Sequence, residues 1–153
     1  MSKIKDPRTV AAANGVATDR AFKSVAPPLY LTSTFAFAGF ERHAGHEYTR
    51  SSNPTRDLLA ETLAKLEGGA GAVVTASGMS AVDLVLSLLR RGDLVIAPHD
   101  CYGGTYRLLA ARRDREQFDL AFVDQGDDAA LAEALKRKPK LVLVETPSNP
   151  LMR

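Results

Sequence analysis

From Asn53 onward, apolar positions alternate between runs of helical period and short continuous runs of strand type. Leu58, Leu59, Leu63 and Leu66 recur along one helical face. Asn53 before them suits an N-cap, and Pro54 suits the first helical position, where its missing N–H leaves nothing unpaired. Gly68-Gly69 ends that helix. Ala72-Val73-Val74 predicts a short strand. Residues 79–89 predict a helix that is apolar on nearly every side (Met79, Val82, Leu84, Val85, Leu86, Leu88, Leu89), the pattern of a helix buried all round. Residues 94–97 predict a strand, residues 106–113 a helix, residues 120–123 a strand, residues 127–136 an amphipathic helix and residues 141–144 a last strand.

Strands and helices in strict alternation predict βαβ units and a largely parallel sheet, hence an α/β fold. Ligands of such sheets bind beyond the carboxyl ends of the strands, which here are residues 75–80, 98–105, 125–127 and 145–150. Residues 1 to about 40 lack sustained periodicity, and Pro27-Pro28 imposes extended backbone on its neighbours. They read as an arm, followed by a loop over residues 39–52.

Composition narrows the classes of function. Apolar residues make up 45% and charged residues 25% of the 153, an ordinary globular balance. A formal charge of +2, from scattered basic residues, gives no footprint for nucleic acid or a membrane surface. The lone Cys101 excludes an internal disulfide and suits a reducing cytosol. Charged residues interrupt the first thirty positions, so no signal peptide is expected, and no run reaches the length of a membrane helix. These features together predict a cytoplasmic protein.

Candidate chemistry gathers in the strand-end loops and before Asn53. Thr75-Ala76-Ser77-Gly78-Met79-Ser80 is a small-residue turn into a helix, able to offer backbone N–H groups to an anion; a plain N-cap explains it equally. It is neither a Walker loop nor a nucleophile elbow, because the required Gly-Lys and flanking glycines are missing. Tyr48 and Arg50, two residues apart in an extended segment, would project from one side, a phenol and a guanidinium suited to a phosphate; a surface arginine beside a packed tyrosine is the simpler account of the pair. Tyr102 beside Gly103-Gly104 is placed to stack on a flat ligand. Asn149 could donate an amide N–H to a ligand oxygen or close an Asx-type turn. His99 and Cys101 are near neighbours in sequence, whereas nucleophile–base pairs usually come from separate elements, so Cys101 is not taken as a nucleophile. His43 and His46 lack a third ligand, and no metal is expected.

Four runs stand in one order: Glu47-Tyr48-Thr49-Arg50-Ser51-Ser52-Asn53-Pro54-Thr55-Arg56, Ala76-Ser77-Gly78-Met79-Ser80-Ala81, Asp100-Cys101-Tyr102-Gly103-Gly104-Thr105 and Glu145-Thr146-Pro147-Ser148-Asn149-Pro150. In them the chain resembles the pyridoxal-phosphate enzymes of cysteine and methionine metabolism, the trans-sulfuration family. The resemblance implies a type I pyridoxal-phosphate transferase fold, with residues 1–52 as N-terminal arm and inter-subunit loop and residues 53–153 as the first part of the large domain. It implies that Gly78 and Met79 hold the phosphate through backbone N–H groups, that Tyr102 stacks on the pyridine ring, with a possible acid/base role, and that Asn149 reaches the ring's phenolic oxygen. Tyr48 and Arg50 would cross to the neighbouring subunit's phosphate, making a homo-oligomer, a dimer of dimers, with shared sites. Arg107 would meet the substrate's side-chain end. The implied reaction is γ-replacement in methionine biosynthesis, in which O-succinyl-L-homoserine or another O-acylhomoserine reacts with L-cysteine to give L-cystathionine. A lyase or sulfhydrylase of the same family is the alternative, and a non-catalytic fragment or assembly module the alternative of another class. The family's Schiff-base lysine falls beyond the equivalent of Arg153, so catalysis is expected of a longer chain. Some relatives carry a second arginine where this chain has Ser51.

Overall fold

A computed structural model describes residues 6–153. The first five residues of the expected arm, with Lys3 and Lys5, lie outside the described residues. The chain divides into two compact units, Met1–Val74 and Thr75–Arg153.

The second unit is built on a three-stranded parallel sheet in the order β2-β1-β3. Strand β1 (Leu94–Pro98) is apolar throughout and buried along its whole length, as the central strand of a parallel sheet must be. Strand β2 (Asp119–Val123) pairs with it from Leu94↔Asp119 to Pro98↔Val123, and β3 (Leu141–Val142) pairs on the other side through Val95↔Leu141 and Ile96↔Val142. Helices α3 (Gly78–Leu86), α4 (Gly103–Asp114) and α5 (Asp128–Leu135) complete the unit. Leu86, Val95, Ala97, Leu109 and Phe118 form its core. Arg112 of α4 ties the helices together, pairing with Asp83 of α3 and donating to Gln117 at 3.0 Å.

In the first unit, α2 (Pro54–Glu67) begins and ends as its sequence predicts. The Asn53 side chain accepts from Thr55 N–H at 2.9 Å, and Gly68 takes the left-handed φ of 66° at the other end. Helix α1 (Pro7–Ala13) lies inside the segment expected to be an irregular arm. Asp6 caps it, accepting from Arg8 N–H at 2.8 Å, and its seven residues are too few to display a period. It meets α2 where Gly15 has φ 83°, and a Cβ there would lie 2.6 Å from Leu58 Cδ2. Asn14 joins the same contact, donating to Thr62 Oγ1 at 2.7 Å and accepting from Lys65 Nζ at 2.8 Å.

Several expectations are corrected. Residues 72–74 form no strand, because they make no ladder hydrogen bond among the described residues, and Val73 is 74% exposed. The helix expected over 79–89 stops at Leu86: Leu88 and Leu89 bond back only three residues, and Gly92 turns the chain at φ 89°. Nor is it buried all round. Only Leu86 is buried, while Leu84 and Val85 each stay 45% exposed, because one face alone packs on the core. Helix α4 starts three residues earlier than expected and takes Gly103 and Gly104 into its first turn. The last strand keeps two of its four predicted residues, the two that pair with β1.

Candidate functional site

The carboxyl ends of β1 and β3 deliver two loops whose side chains are bonded to one another. After Pro98, His99 N–H donates to Val123 O at 3.0 Å, and the chain runs through Asp100 and Cys101 to Tyr102, the N-cap of α4. After β3, Glu145 accepts from Tyr102 N–H through both carboxylate oxygens, at 3.0 and 3.2 Å. Ser148, 2% exposed, donates from Oγ to Asp100 Oδ2 at 3.1 Å. Asn149 follows it, exposed, with no side-chain partner among the described residues.

Helix α3 opens on the third part of the site. Ser77 caps it, accepting from Ser80 N–H at 3.2 Å, while Thr75 Oγ1 donates to Ser77 O at 2.9 Å. The N–H groups of Gly78 and Met79 find no acceptor among the described residues, as expected of a first helical turn. Space over Gly78 is open, since a Cβ there would meet nothing within 4 Å. Met79 carries its sulfur to α4: Thr105 Oγ1 lies 3.9 Å from Met79 Sδ. A Cβ on Gly104 would sit 2.5 Å from Tyr102 Cε1 and 3.2 Å from that sulfur, so the ring and the thioether both border the space where Gly104 has no side chain. The ring remains 57% exposed and keeps a free face for a flat partner.

The structure thus brings Gly78, Met79 and Tyr102 together and straps the Asn149 loop to the Tyr102 loop. Arg107, also on α4, is exposed and turns back, with Nη1 3.3 Å from where a Cβ on Gly103 would be. Cys101 is buried, and burial first, then the charges of Glu145 and Asp100, push its thiol above the ordinary range. A protonated thiol is a poor nucleophile. The ring of His99 faces Asp124 instead, 3.9 Å away.

In the first unit, Tyr48 and Arg50 do not share an extended segment as expected. Pairing ends at the Thr34↔Tyr48 bridge, and the backbone then turns, with Ser51 and Ser52 N–H both donating to Tyr48 O. The turn still joins the two side chains, because it sets the Arg50 guanidinium 5.0 Å from the centre of the Tyr48 ring. Asn53 and Arg56 pin this turn from α2, donating to Thr49 Oγ1 at 2.5 Å and Thr49 O at 2.9 Å.

Glu145, Asp100, Ser148 and Thr105 were not singled out from the sequence as site residues. All four nevertheless stand in runs that carry the family resemblance, and Glu145 is also a carboxylate directly following an apolar strand run.

The family described as Cys/Met metabolism PLP-dependent enzyme matches residues 8–153. The chain belongs to that family. It is similar to a cystathionine gamma-synthase of Escherichia coli, with 53% identity over 146 residues that cover 95% of this chain and 38% of the relative. A cystathionine beta-lyase of Lactococcus lactis subsp. cremoris is 40% identical over 91% of this chain and 37% of its own length. Among solved structures, a cystathionine gamma synthase from Xanthomonas oryzae pv. oryzae, crystallised with aminoacrylate and cysteine, superposes with a TM-score of 0.93 at 49% identity, covering 97% of this chain and 39% of that one. The chain therefore spans about two fifths of the length of the relatives it matches. The α/β fold with a parallel sheet agrees with this family membership.

The residues present fit the family's cofactor. Two unpaired N–H groups at the positive end of α3, with open space over Gly78, suit a phosphate. The free face of Tyr102 suits a pyridine ring. Of the described lysines, Lys23, Lys65, Lys136, Lys138 and Lys140, none stands in a strand-end loop of the sheet.

Proposed function

We propose that this chain supplies part of a pyridoxal-phosphate site in a longer polypeptide that catalyses γ-replacement: an O-acylhomoserine, O-succinyl-L-homoserine first among them, reacts with L-cysteine to give L-cystathionine. The observation that carries the reading is the 53% identity to a cystathionine gamma-synthase across 95% of the chain. On this reading residues 1–52 are the arm and inter-subunit loop, and residues 53–153 begin the cofactor-binding domain of a cytoplasmic enzyme.

When bound, the cofactor supplies an electron sink for carbanion chemistry at the substrate's carbons. The chain's own residues bind and orient it. Gly78 and Met79 N–H groups hold the phosphate, Tyr102 stacks on the ring and has a phenol at hand for proton transfer, Asn149 donates to the phenolic oxygen, and Arg107 meets the substrate's distal end. Tyr48 and Arg50 serve the phosphate of a neighbouring copy, so that the enzyme works as a homo-oligomer, a dimer of dimers with shared sites. Their cation–π contact keeps the guanidinium in place ready for that role.

Assays of the full-length enzyme with cysteine, sulfide and cystathionine as alternative substrates test the reaction. Cysteine-dependent cystathionine formation should dominate, and a preference for cystathionine cleavage or for sulfide would replace the proposal with a lyase or a sulfhydrylase. Arg50→Ala should weaken cofactor binding by about 1.5–3 kcal/mol, the worth of a hydrogen bond to a charged group. Mixed with a variant lacking the Schiff-base lysine, it should regain activity, because hybrid dimers hold one site free of both defects. Absence of recovery despite demonstrated subunit exchange would place Arg50 in its own chain's site.

A further inference from the structure

Tyr102 is the N-cap of α4, yet its side chain makes no capping bond. Its own backbone N–H points out of the helix, and Glu145 takes it with both carboxylate oxygens, at 3.0 and 3.2 Å. A carboxylate at the start of a helix is further favoured by the partial positive charge there. Glu145 comes from the loop after β3, so this bond fixes where α4 begins relative to that loop. The Ser148–Asp100 bond repeats the tie from a 2% exposed serine. The Tyr102 ring also borders Gly104: a Cβ there would lie 2.5 Å from Tyr102 Cε1 and 3.2 Å from Met79 Sδ, so position 104 has no room for one. The backbone of Tyr102 is therefore held by Glu145, and its ring occupies the space that Gly104 leaves free.

We propose that Glu145 is a positioning residue for the Tyr102 ring and sets cofactor affinity through it. The inference rests on the reading of Tyr102 as the stacking residue. Without the carboxylate, Tyr102 N–H loses its acceptor and α4 loses the group that holds its start, so the ring can leave its place beside Gly104. Glutamine and alanine at this position distinguish acceptor from charge: Glu145→Gln keeps an oxygen for the N–H, whereas Glu145→Ala keeps none.

The experiment measures the dissociation constant of pyridoxal phosphate for the full-length apoenzyme, with Glu145 as Glu, Gln or Ala, each combined with Tyr102 or Tyr102→Ala. Glu145→Ala should weaken binding by about threefold or more when Tyr102 is present and change it little in the Tyr102→Ala background, because coupled sites are not additive. Glu145→Gln should restore most of the affinity. The visible circular dichroism of the bound cofactor should change with Glu145→Ala and return with Glu145→Gln. Equal weakening in both backgrounds would mean that Glu145 merely supports the fold, and would overturn the inference. If Tyr102→Ala weakens binding and Glu145→Ala does not, the inference alone fails. If Tyr102→Ala itself changes nothing, the stacking reading fails and takes this inference with it. Should Glu145→Ala not fold, Gly104→Ala reaches the same ring, and its loss of affinity should likewise vanish in the Tyr102→Ala background; a loss that persists there counts against the proposal.

Discussion

In the unit Thr75–Arg153, Val95, Ile96, Ala97 and Leu109 are wholly buried, and Leu86 and Phe118 join Val95, Ala97 and Leu109 in one core. In the unit that ends at Val74, Val10 is the one buried apolar side chain among the described residues, and the other buried side chains are the polar Asp19 and Asn53. There the backbone is held by side-chain hydrogen bonds. Asp19 accepts from the N–H groups of Ala21, Phe22 and Ser24, and Asn53 donates to Tyr30 O and Thr49 Oγ1 while capping α2. The same unit leaves Phe22, Leu31 and Phe40 almost fully exposed. Hydrophobic burial makes a sheet that tolerates polar change at its edges, and polar pins fix a loop's shape without an apolar core.

The largest expected effect falls on the sheet. Ile96→Ala removes a wholly buried side chain from the central strand and should cost about 2–5 kcal/mol in denaturant unfolding. A cost below that of an exposed-site substitution such as Leu63→Ala would break the contrast between the units. Asn53→Ala comes next. It deletes the α2 cap and both amide donations, for about 1–2 kcal/mol, and amide exchange over residues 49–56 should accelerate while β1 stays protected. Equal acceleration in β1 would mean that the pin is part of a shared core.

The smallest effect is a pH dependence. Backbone donors, Ser24 N–H first, hold the Asp19 carboxyl below its ordinary range. A depressed acid adds stability above its unfolded pKa, and that stability is lost as pH falls through the folded value. Limited proteolysis near residues 19–26 should therefore rise only below the ordinary carboxylate range, and Asp19→Asn should remove the pH dependence. A pH-independent cleavage rate in the unaltered protein would show that the charge of Asp19 does not hold this loop.

Legibility in the sequence tracks the range of the interaction involved. The Asn53–Pro54 start and Gly68 end of α2 rest on local chemistry, and they were legible to the residue. The strands β1 and β2 were legible from their apolar runs. The lack of a strand at residues 72–74 was not, because an apolar run says nothing about whether a neighbour offers a ladder. The start of α4 was missed because Gly103 and Gly104 count against a helix interior but are acceptable in a first turn that Glu145 holds from outside. In the candidate site, Tyr102, Gly78 and Met79 stood out through their turns. Glu145 and the Ser148–Asp100 tie did not, since their partners lie 43 and 48 residues away along the chain.

The order β2-β1-β3 also sets a schedule for synthesis. The central strand leaves the ribosome first and has no partner then: Leu94 waits for Asp119, and Val95 waits for Leu141. Until β3 arrives, β1 has an open edge, the state in which nascent chains aggregate or are bound by chaperones. Parallel pairing of this range is slow to close, and β1 therefore depends on residues translated after it for both of its partners.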